Sequence, residues 1–398
     1  MSEARGRGGP EPLNVGQMTL SLSPGGRRAA ILTLASALRA QAVRSDLVTL
    51  DSRHDDLEGA SAALSDHLAL DRKGMLDPGA FRRLAAYCDA RDHTVLHVHD
   101  AASELTAALL HLVRPGLRIV STFHRTLGID TTSVRNWLRN AFTLAFVSAV
   151  ITGSRERQAY FLRENLVRGR KVVRIPFGID IDRFHPDGEA RRAIRAELGL
   201  AEGAMVLGAA GHFGPEKGID VVLEGYAILV RQLQHEAPTL IVLGTGAPER
   251  ERYLRERATT ARGRVLFLGF RRDVERCLAA LDLFVHLPRA EAFGLVLAEA
   301  AATALPAIAS SVGGVPDVVR DEVTGLLVPP ESPEAFADAA ERILRDQGLR
   351  RRLASAALNL AREELSSALF ARRHRQLYDD VLARRQPFGA GKSWTSLG

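Results

Sequence analysis

FVHLPRAEAFGLVLAEA, running from Phe284 to Ala300, reads as a strand, a short loop and a helix that begins near Phe293. Two carboxylates interrupt its apolar character: Glu291 just before the helix, and Glu299 about two turns in, about 12 Å away along the axis. Burying a charge is costly unless it is paired or hydrogen-bonded, so both glutamates require an explanation. At the start of such a helix the N–H groups of Phe293, Gly294 and Leu295 lack intrahelical acceptors and form an anion site. Gly294 lets backbone approach a ligand closely. Carboxylates flanking an anion site suit a molecule with hydroxyls at both ends and phosphates between, such as a nucleoside-diphosphate sugar. The plainer alternative is a helix-dipole partner at Glu291 and a salt-bridged core carboxylate at Glu299. The stretch alone leaves both open.

The same strand-then-helix unit recurs along the chain. The first half holds MTLSLS, SDLVTL, TVLHVH, LRIVSTF, SAVITGS and KVVRIP; the second holds MVLGAAG, TLIVLG, RVLFLGF, LFVHLP and PAIAS. Amphipathic helical stretches lie between them. This alternation predicts an α/β chain with parallel sheets covered on both faces, built twice, with a hinge at FGIDIDRFHPDGEA. Two doubly wound, Rossmann-like domains in series set two ligand crevices face to face. The expected boundaries are a flexible tail over 1–15, a first domain over 16–182 and a second over 183–365. A C-terminal helix over 366–386 is expected to dock back on the first domain.

The chain has 398 residues, 46% hydrophobic and 25% charged, enough for two domains that each bury a core. Its net charge of +6 is dispersed beside acidic residues. It suits a phosphorylated substrate or an anionic surface, and no nucleic-acid-binding signature accompanies it. Cys88 and Cys277 lack metal-ligand spacing, and a reducing, cytoplasmic setting is the simplest expectation. The longest apolar run, LAFVSAVI, is far too short to span a bilayer.

Beyond Ala300 the chain continues with Pro306, then Val312-Gly313-Gly314-Val315-Pro316-Asp317, then a turn from Thr324 to Pro329. Together with Glu291 and Glu299 in E-x7-E spacing, this closely resembles the retaining glycosyltransferases of family 4, which have the GT-B fold. The resemblance runs from about Leu22 to Val328. It implies a glycosyltransferase that uses a UDP- or GDP-linked sugar, requires no metal or other cofactor, and retains anomeric configuration. Its acceptor would be a hydroxyl of a glycan, a lipid-linked molecule or a small molecule.

Further matches assign expected roles. GHFGPEKGID resembles the loop whose arginine and lysine hold the donor diphosphate: Lys217 matches, and His212 stands where the family has arginine. Gly269 and Phe270 occupy the segment that meets the nucleotide base. Gly25 and Gly26 match the first-domain glycine loop, although Arg27 and Arg28 follow where an acidic residue is usual. His124, at the end of a strand, matches the histidine that lies against the donor sugar. The resemblance therefore makes His124, Lys217 and Glu291 the expected catalytic residues. Gly25, Gly26, His212, Lys217, Gly269, Phe270, Phe293, Gly294, Leu295 and Glu299 are the expected donor contacts. His97 and His99 are expected to be mainly structural, with Asp100 lining the site. Phe177 replaces an asparagine of the family's linker, and Asp180 with Asp182 is read as a local cap rather than a metal motif.

Val134, Trp137, Leu138, Ala141, Phe142 and Ala145 form one apolar helix face opposite Arg135, Asn136, Arg139 and Asn140. Packing on its own sheet is its expected use; resting on the inner face of a membrane is the alternative. Two rival functions remain at this stage: a sugar-nucleotide epimerase of the same architecture, and a non-catalytic module that binds a nucleotide sugar or glycan.

Overall fold

The computed structural model describes residues 13–74, 77–124, 134–164 and 168–385, without the side chains of 134–137 and 139. Seven strands form the first sheet: β1 (Leu13–Thr19), β2 (Val43–Thr49), β3 (Asp66–Ala69), β4 (Val95–Val98), β5 (Arg118–Phe123), β6 (Ala149–Thr152) and β7 (Val172–Arg174). Six form the second: β8 (Val206–Ala210), β9 (Thr239–Leu243), β10 (Val265–Gly269), β11 (Leu283–His286), β12 (Ala307–Ser310) and β13 (Gly325–Val328). Their orders are β3-β2-β1-β4-β5-β6-β7 and β10-β9-β8-β11-β12-β13, with every pairing parallel. In both sheets the order reverses beside the first strand, which opens a crevice at the carboxyl ends. This is the doubly wound, two-domain GT-B architecture that the sequence implied.

Three local readings change. The first strand begins at Leu13, inside the segment read as tail, because Leu13 and Val15 are buried in the core. Two strands were missed. β3 is a short edge strand that starts with Asp66 and His67, and β13 hides inside a sequence that looks like a turn. The helix Val134–Phe146 does not press its whole apolar face on the sheet. Leu138, Ala141, Phe142 and Ala145 face solvent, while Thr143 and Leu144 are buried. Val134 and Trp137, with Arg135, Asn136 and Arg139, lie outside the described side chains. The apolar period fixes a face, but the neighbouring helix decides which residues it covers.

The chain crosses between the sheets twice, and the crossings are hydrogen-bonded. Ile179 N donates to Leu365 O at 2.7 Å, and Ser367 N donates to Ile179 O at 2.8 Å. The helix Ser367–Leu382 then packs against the helix Gly26–Arg39 of the first sheet. At the crossing Phe177 is buried between aromatic rings of both halves, with centroids 5.3 Å from Phe293 and 6.0 Å from Phe370. Gly153 and Gly178 are required there, since a Cβ at either would strike the Phe177 or Phe370 ring.

Candidate active site

The second sheet builds its half of the site from two loops. After β8 the backbone turns through Gly211 and His212 to Lys217 and Gly218. Gly218 has a left-handed φ of 64°, and a Cβ there would collide with Leu287 O, so the Lys217 loop lies directly on the loop after β11. Arg289 fastens the two: its guanidinium donates to Pro215 O and to both oxygens of Asp220. Lys217 Nζ is thereby placed 2.8 Å from Glu291 Oε2. His286, buried at the end of β11, brings Nε2 to 3.0 Å from the same oxygen, and Ala292 N donates to Glu291 Oε1 at 3.1 Å.

Burial raises the Glu291 pKa, but hydrogen bonding and charge from His286 and then Lys217 outweigh it. The carboxyl is held well below the usual carboxylate range, and Glu291 is anionic at neutral pH. The Gly313-Gly314 pair supports it from behind. Gly314 N donates to Glu291 O at 3.0 Å, and a Cβ on either glycine would overlap the backbone of Glu291 or Ala292. The glycine-rich loop is thus a mould for the Glu291 backbone.

Gly294 caps the helix Leu295–Ala302 at a φ of 90°, so the helix starts two residues later than expected, and its first N–H groups lack intrahelical acceptors. Glu299, in the second turn, is only partly accessible. Its carboxylate has no hydrogen bond or ion pair among the described residues, so the salt-bridged alternative is not what the fold builds. Burial pushes its pKa up to about 7, opposed by the positive charge of Arg183, which is itself bound to Glu275. Gly269 has a φ of 68° with open space where a Cβ would stand, and Phe270 beside it is largely exposed. His212 is exposed at the rim of the Lys217 loop.

The first sheet supplies the facing half. Gly25 caps the helix Gly26–Arg39 at a φ of 136°, with open space around it. A Cβ at Gly26 would come within 3.3 Å of Leu295 Cδ1, so this loop touches the start of the opposite helix. His124 follows β5, its ring stacked on Phe177 at 5.2 Å and 19°. Its Nε2 lies 2.9 Å from Nδ1 of His99. Burial, reinforced by the charge of Arg27 and opposed by Asp100, pushes the His124 pKa down to about 3.

The site residues proposed from sequence therefore fall on two facing walls. Lys217, Glu291 and the helix start form one cluster; His124 and the Gly25-Gly26 loop form the other. Asp100 serves differently from expected, because its carboxylate caps the helix Ala101–Val113 and accepts from Leu20 N and Thr19 Oγ1. Asp180 accepts from the N–H groups of Asp182 and Arg183, a local turn cap. His286 escaped the sequence reading. Its only signal was a polar residue ending an otherwise apolar strand.

The sequence and the fold both match known proteins. Residues 24–183 match the family model described as Glycosyltransferase Family 4, and residues 190–360 match that described as Glycosyl transferases group 1. The N-acetyl-alpha-D-glucosaminyl L-malate synthase of Bacillus anthracis is 28% identical over 75% of this chain and 78% of its own. The lipopolysaccharide core biosynthesis mannosyltransferase LpsB of Rhizobium meliloti is 32% identical over 71% of this chain and 77% of its own. Among solved structures, HepE of Anabaena in complex with UDP-glucose superposes with a TM-score of 0.80 at 22% identity, over 92% of this chain and 100% of that one.

Proposed function

The chain belongs to glycosyltransferase family 4 and is a glycosyltransferase, and from that premise we propose that it uses a nucleoside-diphosphate sugar with UDP or GDP as carrier. The sugar passes, with its anomeric configuration retained, to an acceptor hydroxyl on a glycan, a lipid-linked molecule or a small molecule. One observation carries the reading: Lys217, His286 and the N–H of Ala292 converge on Glu291 beside an open helix N-terminus.

An ammonium has three donors and Glu291 takes one, so Lys217 retains two for the diphosphate. The N–H groups of Phe293 to Leu295 add to this field, and His212 stands at its rim. Fixed donors aimed at charge that develops in the transition state are often the largest catalytic term. In this reading they neutralise the leaving diphosphate without a metal ion. Glu291, held ionised, keeps about one lone pair, on Oε1, for a sugar hydroxyl and orients the ring. Glu299 grips the ribose hydroxyls, Gly269 and Phe270 receive the base, and His124 faces the sugar from the other wall. Asp100, whose charge reaches His124, is spent on the cap of the helix Ala101–Val113 and on Leu20 N, so it is not free to act as a covalent nucleophile. We therefore assign a same-face displacement, in which a leaving phosphate oxygen takes the acceptor's proton.

The outward-facing Leu138 and Phe142, with the exposed Leu112 and Val113 on the neighbouring helix, suit a membrane surface. We place transfer to a lipid-linked acceptor there, on the cytoplasmic inner face; co-sedimentation with anionic vesicles checks this arm.

Incubation with a panel of UDP- and GDP-sugars tests the main reading. A bound donor at 100 times its Kd raises stability by about 2.7 kcal/mol, and slow release of free nucleoside diphosphate is expected. Interconversion of the sugar without release would indicate an epimerase. Binding with neither outcome would indicate a non-catalytic module.

A further inference from the structure

Behind His124 runs a hydrogen-bonded chain of buried side chains that the transfer reaction has not yet used. Gln17 on β1, His99 just beyond β4 and His124 just beyond β5 lie on three adjacent parallel strands. Gln17 Oε1 is 2.8 Å from His99 Nε2, and His99 Nδ1 is 2.9 Å from His124 Nε2. With the Gln17 amide oxygen turned toward it, which only accepts, His99 Nε2 carries the hydrogen and donates it. A neutral imidazole then has a lone pair at its other nitrogen. His99 Nδ1 therefore accepts, and His124 Nε2 donates. The nitrogen of His124 left for the crevice, Nδ1, holds a lone pair.

Neutrality is secured by the surroundings. Burial pushes His99 and His97 far below the ordinary histidine range, and it brings His124 to about 3 and His374 to about 4. Groups facing the chain from other elements are fixed as well. His97 lies with its ring 4.3 Å from that of His99, and it bonds Tyr378 Oη through Nδ1 at 2.7 Å and Thr122 Oγ1 through Nε2 at 2.6 Å. His374 Nδ1 is bound to Phe370 O at 2.8 Å. Tyr378 and His374 come from the C-terminal helix, so its docking seals this wall. The ring of Phe177 lies flat on His124 and resists its turning over.

We infer that Gln17 and His99 are positioning residues that hold His124 as the Nε2–H tautomer, so that His124 offers the donor sugar an acceptor and selects a hydroxyl there. His124 is then not the group that protonates the leaving diphosphate. This rests on the proposed placement of the sugar beside His124.

Long-range proton–nitrogen NMR on the full chain, labelled with 15N-histidine, reads the tautomers directly. A His124→Asn variant identifies the His124 signals. Nε2–H is expected at both His99 and His124 at neutral pH. Nδ1–H at His124, which follows if the Gln17 amide is turned over and donates, would overturn the inference. This measurement requires neither ligand nor activity, so it stands apart from the functional proposal.

A second arm uses Gln17→Met, of similar size and without the amide. Affinity for UDP-glucose should drop by up to about tenfold, the worth of one neutral hydrogen bond, while affinity for UDP, which lacks the sugar, stays the same. GDP-mannose and GDP form the parallel pair. Equal losses for sugar nucleotide and bare nucleotide, in a variant that remains folded, would make Gln17 merely structural.

Discussion

Lys217 and Glu291, 74 residues apart in sequence, meet as an ion pair 2.8 Å long at the mouth of the cleft. The lysine is thus oriented before any ligand arrives, and its cost of immobilisation is met in folding. Lys217→Ala is expected to lower turnover by about 10²-fold or more, the scale of removing one donor aimed at transition-state charge. Nucleoside-diphosphate affinity should fall much less. Turnover and affinity measured on one preparation decide it. A variant that loses affinity alone would remove Lys217 from the catalytic residues.

Glu299 sets stability against binding. Between its ordinary 4.5 and about 7, the folded chain holds a proton that the unfolded chain releases. Stability contributed by this group therefore falls as pH rises through that window and stays lower above it. Glu299→Gln should raise the melting temperature at pH 8 and change it little at pH 5, with a gain of up to about 3 kcal/mol before relaxation. The same variant should bind nucleoside diphosphate more weakly. Unaltered affinity would show that Glu299 does not grip the ribose.

His212→Arg restores a fork that matches phosphate geometry. Because the side chain is exposed at the loop rim, the fold should be unaffected. Diphosphate affinity should rise by about three- to tenfold at low salt, with the gain shrinking as salt screens it. Titration calorimetry at two ionic strengths is the check, and an unchanged Kd at both would show that position 212 does not reach the phosphates.

Phe177 bridges the two halves, touching His124, Phe293 and Phe370. Phe177→Ala removes a buried ring and should cost about 3–5 kcal/mol, visible in denaturant unfolding. It should also lower turnover by freeing His124. A loss of stability with full turnover at low temperature would limit Phe177 to packing.

Much of the site was legible because it is written locally. Lys217, Glu291 and Gly294 belong to loops whose backbone demands glycine or proline at fixed spacing, with Glu299 in the helix that follows, and the mould formed by Gly313 and Gly314 is the physical basis of that motif. His286 was not legible. It acts through Glu291, and one histidine ending a strand is uninformative until the loop folds back onto it. The strand β13 was masked by turn-forming residues, and β3 by its polar start.

By itself, the sequence determined the period-two runs, the helices between them, the two-domain order and the family to which they belong, since hydrophobic period and loop chemistry act over a few residues. Only the tertiary structure decided which face of the helix Val134–Phe146 meets solvent. Only it joined Tyr378 to His97 across 281 residues and set Phe177 on His124. Contacts between distant segments depend on how the chain closes upon itself, and burial then sets the pKa values of the groups they enclose. Glu299 is the clearest instance: its sequence specifies a carboxylate, but the burial that raises its pKa is made by the fold.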